Sequence, residues 1–211
     1  MSTKREKIFA FHITRITKVL AISAGHYAAA KGASNNSGFS EFPETLKWAT
    51  KIMTEYSLNY GDCFLVPSGT LGSKIKYIKE LTKQQKIKLA VEIHFNSSPS
   101  GKGKGCETLY YPGSKKGLTA ALEVQNAMSS ILPPNRGIKE GWYKMDIPGQ
   151  IDYKGDIPGD EKVDAFLTIP GVTCLIIEPE FIQNEHVIKN MTDVACEIIA
   201  SACYSAIKHI S

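Results

Sequence analysis

Three apolar runs of this sequence end in side chains that can bind a metal ion. His94 closes the first run, His26 follows the second after a short turn, and Glu178 closes the third. The runs are rich in β-branched residues and have the length of buried strands, so we expect each to be a strand. They cover residues 87–93, 18–23 and 173–177. The two histidines and the glutamate therefore lie at strand ends, where they can form one site at the edge of a sheet.

Two histidines and a carboxylate around one open position are the ligand pattern of a catalytic zinc ion. Such an ion lowers the pKa of its bound water to about 7 and polarises a substrate carbonyl. A further carboxylate then takes the water's proton and passes it to the leaving amine. The chain offers Glu41 and Glu44 after the first loop, and Glu178 and Glu180 after the last core strand. From the residues alone, the assignment of the two carboxylate roles stays open.

Each of these side chains also has an ordinary structural interpretation. His26 would form a hydrogen bond with a loop carbonyl, His94 would pack under a helix, and Glu178 would pair with Arg136 or a lysine. The two glutamates after the first loop would only complement the positive end of a helix. The candidates do not form a short regular motif such as His-Glu-x-x-His. The residues alone therefore leave both the metal site and these alternatives open.

Strands and helices alternate along the chain. Apolar residues at three- and four-residue spacing predict helices over 41–58, 73–84, 115–132 and 187–207, and short runs predict two further strands over 63–66 and 106–111. This alternation indicates an α/β fold, in which a single domain has a mostly parallel, twisted sheet of about five to six strands with helices on both faces. Ligands of such sheets bind at the carboxyl ends of the strands, where His26, His94 and Glu178 lie.

Three segments fit no helix or strand pattern. Residues 1–17 are basic and weakly patterned, and we expect an N-terminal arm or an extra strand there. Residues 25–38 are rich in Gly, Ala, Ser and Asn, which suits a backbone that passes close to a ligand. Residues 136–170 are the least regular stretch, and we assign little structure to them. A connection of this length is usually functional or disordered.

The composition is that of an ordinary globular domain. The 211 residues carry a net charge of +4, which suits an anionic polymer such as a cell wall and is too small to indicate binding to nucleic acid. No run approaches the roughly 20 apolar residues of a membrane span. The five cysteines lack Cys-x-x-Cys spacing, so we expect buried thiols of a reducing compartment. No signal-peptide pattern is evident, and we expect a monomer that is made in the cytoplasm.

Four segments resemble motifs of the zinc-dependent N-acetylmuramoyl-L-alanine amidases of type 3, a family that includes bacterial cell-separation amidases and many phage endolysins. The family motifs are Asp-Pro-Gly-His-Gly-Gly with a trailing Gly-Ala, Ile-His-Ala-Asn with Gly-Val-Glu-Thr, Arg-Gly-Val-Lys, and Val-Glu-Pro-Gly-Phe-Ile-Ser-Asn. The matching segments, in the same order, are Ala24-Gly25-His26 with Lys31-Gly32-Ala33, Ile93-His94-Phe95-Asn96 with Gly105-Cys106-Glu107-Thr108, Arg136-Gly137-Ile138-Lys139, and Ile177-Glu178-Pro179-Glu180-Phe181-Ile182 with Asn184.

The resemblance implies an α/β domain that holds one zinc ion. It implies hydrolysis of the amide bond between N-acetylmuramic acid and L-alanine in peptidoglycan. His26 and His94 would be two ligands, and the third would be the glutamate that opens the first helix. Glu41 fits that position better than Glu44. Glu178 would be the catalytic carboxylate that accepts the water's proton.

The resemblance also implies contacts to the substrate. Arg136, Lys139 and Asn96 lie in the matching motifs, and we expect them to bind the muramyl peptide. Residues 139–165 are much longer than the family's usual connector, so we expect a lid or a wall of the substrate groove there. The enzyme would reach the cell wall after its release from the cytoplasm, as a phage endolysin does.

The sequence departs from the family motifs at several positions. Ser23 and Ala24 replace the usual Asp-Pro, and Glu92 stands where Ser is common. Glu180 replaces a Gly, which leaves open whether Glu178 or Glu180 is the general acid/base. Two other functions compete with the amidase: a zinc peptidase or amidase that acts on another peptide, and a non-catalytic peptidoglycan-binding module that holds no zinc.

Overall fold

The computed structural model describes residues 19–147, 150–152 and 162–211. The strands are β1 (Leu20–Ala24), β2 (Cys63–Leu65), β3 (Leu89–Ile93), β4 (Cys106–Tyr110), β5 (Asn135–Glu140), β6 (Trp142–Ile147), β7 (Gln150–Asp152), β8 (Lys162–Val163) and β9 (Thr173–Glu178). The helices are α1 (Glu41–Asn59), α2 (Leu71–Gln85), α3 (Lys115–Ser129) and α4 (Glu185–Ile210), with a short 3₁₀ helix at Ala165–Thr168. A six-stranded sheet has the order β2-β1-β3-β9-β4-β5, and a small sheet has the order β7-β6-β8.

The large sheet is mostly parallel, which confirms the expected α/β architecture. β2, β1, β3 and β9 run in the same direction. β4 is antiparallel to β9, and β5 is parallel to β4. Every residue of β1 and β3 is buried, since strands in the middle of such a sheet are covered on both faces. That double burial explains why both strands are continuous apolar runs in the sequence.

Helices cover the sheet on both faces. α1, α3 and α4 pack on one face, where Trp48, Ile52 and Ile199 are completely buried. α2 and the 3₁₀ helix cover the other face with Ile78 and Phe166. The two layers fix the sheet between them, so the strand ends at its carboxyl edge have defined positions. No helix in the described part of the chain has both the length and the apolar character that crossing a membrane requires.

The stretch 136–170 contains more regular structure than we predicted from the sequence. β5 extends the large sheet beside β4, and β6, β7 and β8 form the small sheet. The prediction of little structure was wrong here because β5 is an edge strand. Its residues are exposed or half-buried, so it lacks the apolar run that marks a core strand. Within the expected lid 139–165, residues 148–149 and 153–161 lie outside the described residues, as does the expected arm 1–17.

The cysteines are buried as expected, except for Cys63. All five are free thiols, of which Cys106, Cys174, Cys196 and Cys203 are buried and Cys63 is half-buried. Burial raises the pKa of Cys106 to about 11 and that of Cys174 to about 12. These thiols stay protonated near neutral pH and act as small apolar side chains in the core.

Candidate metal centre

His26, Glu41 and His94 meet at the carboxyl edge of the large sheet. The Glu41 carboxylate lies between the two imidazoles: its Oε2 is 3.1 Å from Nε2 of His26, and its Oε1 is 3.0 Å from Nδ1 of His94. One nitrogen or oxygen of each residue lies within 4.8 Å of the corresponding atoms of the other two. The structure therefore brings together the three residues that the sequence and the family resemblance suggested as ligands.

The path of the chain after β1 places His26 against His94. The N–H of Gly25 donates to the carbonyl of Ile93, 2.7 Å away, so the turn after β1 lies directly on the end of β3. A Cβ on Gly25 would lie 2.6 Å from the ring of His94, which only glycine avoids. His26 then adopts a left-handed backbone with a φ of 61°. Residues with a Cβ seldom adopt this conformation, and functional sites are among the places where they do.

Glu41 is the first residue of α1, and its side chain is 4 % exposed. Its carboxylate accepts hydrogen bonds from the backbone N–H groups of Ala33 and Phe95, both at 3.0 Å. Burial raises the pKa of Glu41, but the hydrogen bonds and positive charges of the two histidines outweigh burial and hold the pKa well below its usual range. The carboxylate is therefore ionised at neutral pH, as a metal ligand must be.

Gly32 closes the other side of the centre. Its φ is +73°, and an added Cβ would collide with Oε2 of Glu41 and with the ring of His26. The loop thus approaches the ligands more closely than any side chain would permit. This close approach is the kind that we predicted from the small residues of 25–38.

The donor set fits a zinc ion. Two imidazoles and an ionised carboxylate are nitrogen and oxygen ligands that zinc accepts, and three protein ligands leave a fourth position for water or substrate. The side chain of His26 is 33 % exposed, so the cluster is accessible from solvent. The arrangement differs from the structural alternatives: both histidines face Glu41, and neither faces only a loop carbonyl or a helix.

Glu178 ends β9, which lies beside β3 in the sheet. Its side chain is buried, and its Oε2 has no hydrogen-bond partner among the residues that the structure describes. Burial raises the pKa of Glu178 to about 8, and the negative charge of Glu107, its partner in register on β4, acts in the same direction. In the metal-free protein this carboxyl group is therefore mostly protonated at neutral pH, and the positive charge of a bound metal ion would lower its pKa.

Glu107 gathers the three residues for which we predicted substrate contacts. Its carboxylate accepts from Nε of Arg136 at 2.6 Å, from Nζ of Lys139 at 2.8 Å and from the Asn96 amide at 2.9 Å. Arg136 and Lys139 therefore pair with Glu107, whereas the structural alternative paired Arg136 or a lysine with Glu178. We had assigned no role to Glu107, although a carboxylate in the otherwise uncharged strand β4 was a usable signal.

The two alternative carboxylates lie outside the cluster. Oε2 of Glu44 is 3.8 Å from Nζ of Lys47 on the same helix and, like Oε2 of Glu178, has no hydrogen-bond partner among the described residues. Of Glu41 and Glu44, it is Glu41 that lies between the histidines. Oε1 of Glu180 accepts from the N–H of Gly105 and from the Asn184 amide, both at 2.9 Å. Glu180 thus links the loop before β4 to the segment before α4 by hydrogen bonds. Of the four candidate carboxylates, Glu41 is the one that lies in the cluster that could hold a metal ion.

A second buried ion pair lies behind His94. Oε1 of Glu92 is 2.9 Å from Nζ of Lys74, and Oε2 of Glu92 is 3.3 Å from Nε2 of His94. Burial lowers the pKa of His94, but hydrogen bonds to Glu41 and Glu92 outweigh burial and raise the pKa well above its usual range. We had assigned no function to Glu92 or Lys74. The spacing of Lys74 with Ile78 and Leu81 places it on the buried face of the helix, which was a usable signal in the sequence.

Comparison with known families agrees with this geometry. The family model described as N-acetylmuramoyl-L-alanine amidase matches residues 20–209, which include every residue of the candidate site. A search among curated proteins found no match.

Several solved amidase structures are similar to this chain. The CwlD amidase from Clostridioides difficile, solved in complex with the GerS lipoprotein, aligns with a TM-score of 0.68 at 20% identity, over 92% of this chain and 98% of that chain. The catalytic domain of an endolysin that targets Clostridia difficile gives 0.63 at 21% identity, over 91% and 97%. The catalytic domain of CwlV from Bacillus (Paenibacillus) polymyxa var. colistinus gives 0.62 at 22% identity, over 92% and 97%. These similarities show that the fold is shared.

Proposed function

Because this chain belongs to the N-acetylmuramoyl-L-alanine amidase family, we propose that His26, Glu41 and His94 hold a catalytic zinc ion and that Glu178 transfers the proton. The chain is a hydrolase that cuts the amide bond between N-acetylmuramic acid and L-alanine in peptidoglycan. The observation that carries the proposal is the convergence of three ligands at the same sheet edge as a buried carboxyl group of raised pKa.

The protein prepares the ligands for the ion. A bound zinc ion would polarise the scissile carbonyl and make a coordinated water more acidic. Glu41 is kept ionised and is fixed by the N–H groups of Ala33 and Phe95. His94 is fixed from its far side by Glu92. These contacts limit the rotation of the ligands, so they need little rearrangement when the ion binds.

Glu178 performs the proton transfer. As the water oxygen bonds to the lactyl carbonyl carbon, a carboxylate oxygen of Glu178 accepts a proton from that water. The carbon–nitrogen bond then breaks, and Glu178 returns the proton to the departing nitrogen of L-alanine. The products are a lactyl carboxylate and a stem peptide with a free amino group. Among the residues that the structure describes, none forms a hydrogen bond with Oε2 of Glu178, which supports its assignment as the acceptor.

A polar cleft opens among the loops at this edge of the sheet, and none of His26, Glu41, His94 and Glu178 is among its lining residues. Its volume is about 840 Å³, and its walls belong to the loops that follow β1, β3 and β9. Hydroxyl and amide groups dominate the walls, among them Asn36, Ser98 and Gln183. Such uncharged polar groups suit the hydroxyl and N-acetyl groups of a glycan strand. We propose that the muramyl part of peptidoglycan lies in this cleft.

Arg136 and Lys139 remain predicted substrate contacts. Their side chains are 34% and 25% exposed even though both pair with Glu107, so each retains donors that a substrate can reach. Both polar groups of the Asn96 side chain form hydrogen bonds within the protein: the amide donates to Glu107, and the oxygen accepts from the N–H of Ser97. We expect Asn96 to act on the substrate through Glu107.

We propose lysis or remodelling of the bacterial cell wall as the biological function. The positive net charge favours binding to an anionic wall, and the matched family acts on muramyl peptides. An endolysin-like enzyme that reaches the wall after release from the cytoplasm fits this activity. Lysis of intact cells by added enzyme would show that it acts from outside. Lysis by enzyme made inside the cell, only after the membrane is permeabilised, would show that it acts from the cytoplasmic side.

The direct test is digestion of purified peptidoglycan followed by mass analysis of the products. An amidase releases stem peptides with a new free amino group on L-alanine, whereas a peptidase creates new termini within the stem. A chelator should abolish release, and added zinc should restore it. Full activity in excess chelator would refute the zinc role. Binding to peptidoglycan without any new amino group would favour the non-catalytic module.

A further inference from the structure

The ion pair behind the candidate metal centre is unusually well enclosed. The side chains of Lys74 on α2 and Glu92 on β3 are 3% and 4% exposed. Lys74 also donates to the carbonyl of Ala24, at the end of β1. The hydroxyl of Ser23 donates to Oε1 of Glu92 at 3.1 Å. Two donors therefore fix Oε1 of Glu92 and leave Oε2 to face His94.

The imidazole of His94 lies between two carboxylates. Its Nδ1 faces Oε1 of Glu41 at 3.0 Å, and its Nε2 faces Oε2 of Glu92 at 3.3 Å. A histidine that binds a metal through one nitrogen usually donates the hydrogen of the other nitrogen to a carboxylate or carbonyl, which fixes the ring and its tautomer. Glu92 occupies that second position.

We propose that Glu92, anchored by Lys74 and Ser23, is the positioning residue that holds His94 with Nδ1 directed to the metal. The inference rests on the zinc site proposed above. Ser23 and Glu92 are partners in the parallel register of β1 and β3, and both are positions where the sequence departs from the family motifs.

Stability alone does not account for this ion pair. Removing two charges from water costs several kcal/mol per ion, and apolar residues of similar volume often stabilise a protein equally well or better. The charge of Lys74 offsets the cost of burying the Glu92 carboxylate. Glu92 in turn contacts His94, a candidate ligand. An apolar replacement would keep the packing, but it would lose the contact with His94 and the hydrogen bonds to Ser23 and to the Ala24 carbonyl.

Two double variants separate positioning from packing. Lys74→Met/Glu92→Gln removes both charges but keeps an oxygen that can accept from Nε2 of His94. Lys74→Met/Glu92→Leu removes both charges and the acceptor. The matched control is Gln125→Met, which deletes the buried hydrogen bonds of Gln125 to Thr108 and to the carbonyl of Cys106. Zinc dissociation constants are measured by competition with a chelator, and folding is followed by thermal unfolding of the metal-free proteins.

We expect the Glu92→Leu double variant to bind zinc about 10- to 100-fold more weakly than wild type. The Glu92→Gln double variant should lose less, because its amide oxygen partly rescues the contact. Gln125→Met should unfold at a lower temperature with unchanged zinc affinity. Equal zinc affinity of the two double variants would overturn the proposal, even if both were less active.

The wild-type protein provides a second test that needs no variant. In the zinc-loaded protein, nitrogen-15 NMR of the imidazole should show a slowly exchanging proton on Nε2 of His94. A proton on Nδ1, with zinc bound to Nε2, would overturn the proposal. Absence of peptidoglycan cleavage together with these zinc and NMR results would refute the proposed function and leave the positioning of His94 by Glu92 intact.

Discussion

Substitution of Gly32 by alanine tests whether close packing of the loop holds the ligands in place. Gly32 has a φ of +73°, and a left-handed backbone costs a residue with a Cβ about 1–2 kcal/mol. The new Cβ would also displace Oε2 of Glu41, which accepts from the N–H of Ala33. Loss of that charged hydrogen bond costs about 1.5–3 kcal/mol. We therefore expect the free energy of unfolding to fall by about 2.5–5 kcal/mol and zinc affinity to fall at least about tenfold.

Gly38→Ala is the matched control for this substitution. Gly38 lies in the same loop with a φ of +83°, and its Cβ would meet nothing within 4 Å. It should show only the backbone cost of about 1–2 kcal/mol, with unchanged zinc affinity. Urea unfolding in the presence of a chelator measures the first quantity, and chelator competition measures the second. Equal zinc affinities of the two variants would show that Gly32 has no influence on the ligands.

Three further results are expected. Glu178→Gln should retain bound zinc and reduce turnover at least about 100-fold. Glu180→Gln should make its loops less stable and keep measurable turnover. The reverse pattern would assign the proton transfer to Glu180. In the metal-free protein, the pKa of Glu178 is raised from 4.5 to about 8, so the folded state holds a proton that the unfolded chain releases. The free energy of unfolding should therefore fall as the pH rises from about 4.5 to about 8. Urea titrations of Glu178→Gln should show a smaller fall over the same pH range. Equal falls in the variant and the wild type would contradict the raised pKa of Glu178. Glu107→Gln should lower the free energy of unfolding by about 1–3 kcal/mol, because Arg136 and Lys139 lose their carboxylate. Both cations are partly exposed, so water compensates for part of the loss. The midpoint of the pH-dependent fall in the free energy of unfolding should also move to lower pH.

The catalytic edge of the sheet was predictable because it depends on the order of elements. Strands that alternate with helices form a parallel sheet, and parallel strands end at the same edge. His26, His94 and Glu178 follow from that rule alone. The choice of Glu41 as the third ligand needed the family resemblance. It could not be made from the pattern alone, because it depends on the direction in which the first turn of α1 faces. The structure confirms the mostly parallel sheet with helices on both faces.

The network around the centre was not predictable in the same way. Glu107 meets Arg136 and Lys139 only because β5 adds to the sheet beside β4, and an exposed edge strand leaves no periodic signal in the sequence. Lys74 meets Glu92 across the packing of α2 on the sheet. Such pairs depend on tertiary distances, whereas sequence patterns report only which face of an element is buried.

The environments of Glu41 and Glu178 show how one edge of the sheet can supply two carboxylates with opposite properties. Both are buried, and burial raises the pKa of each. Glu41 is surrounded by two imidazoles and two backbone N–H groups, which stabilise its negative charge. Glu178 instead faces Glu107 in register and has one oxygen without a partner in the described chain. Because their neighbours shift the two pKa values in opposite directions, one carboxylate suits a metal and the other suits a proton.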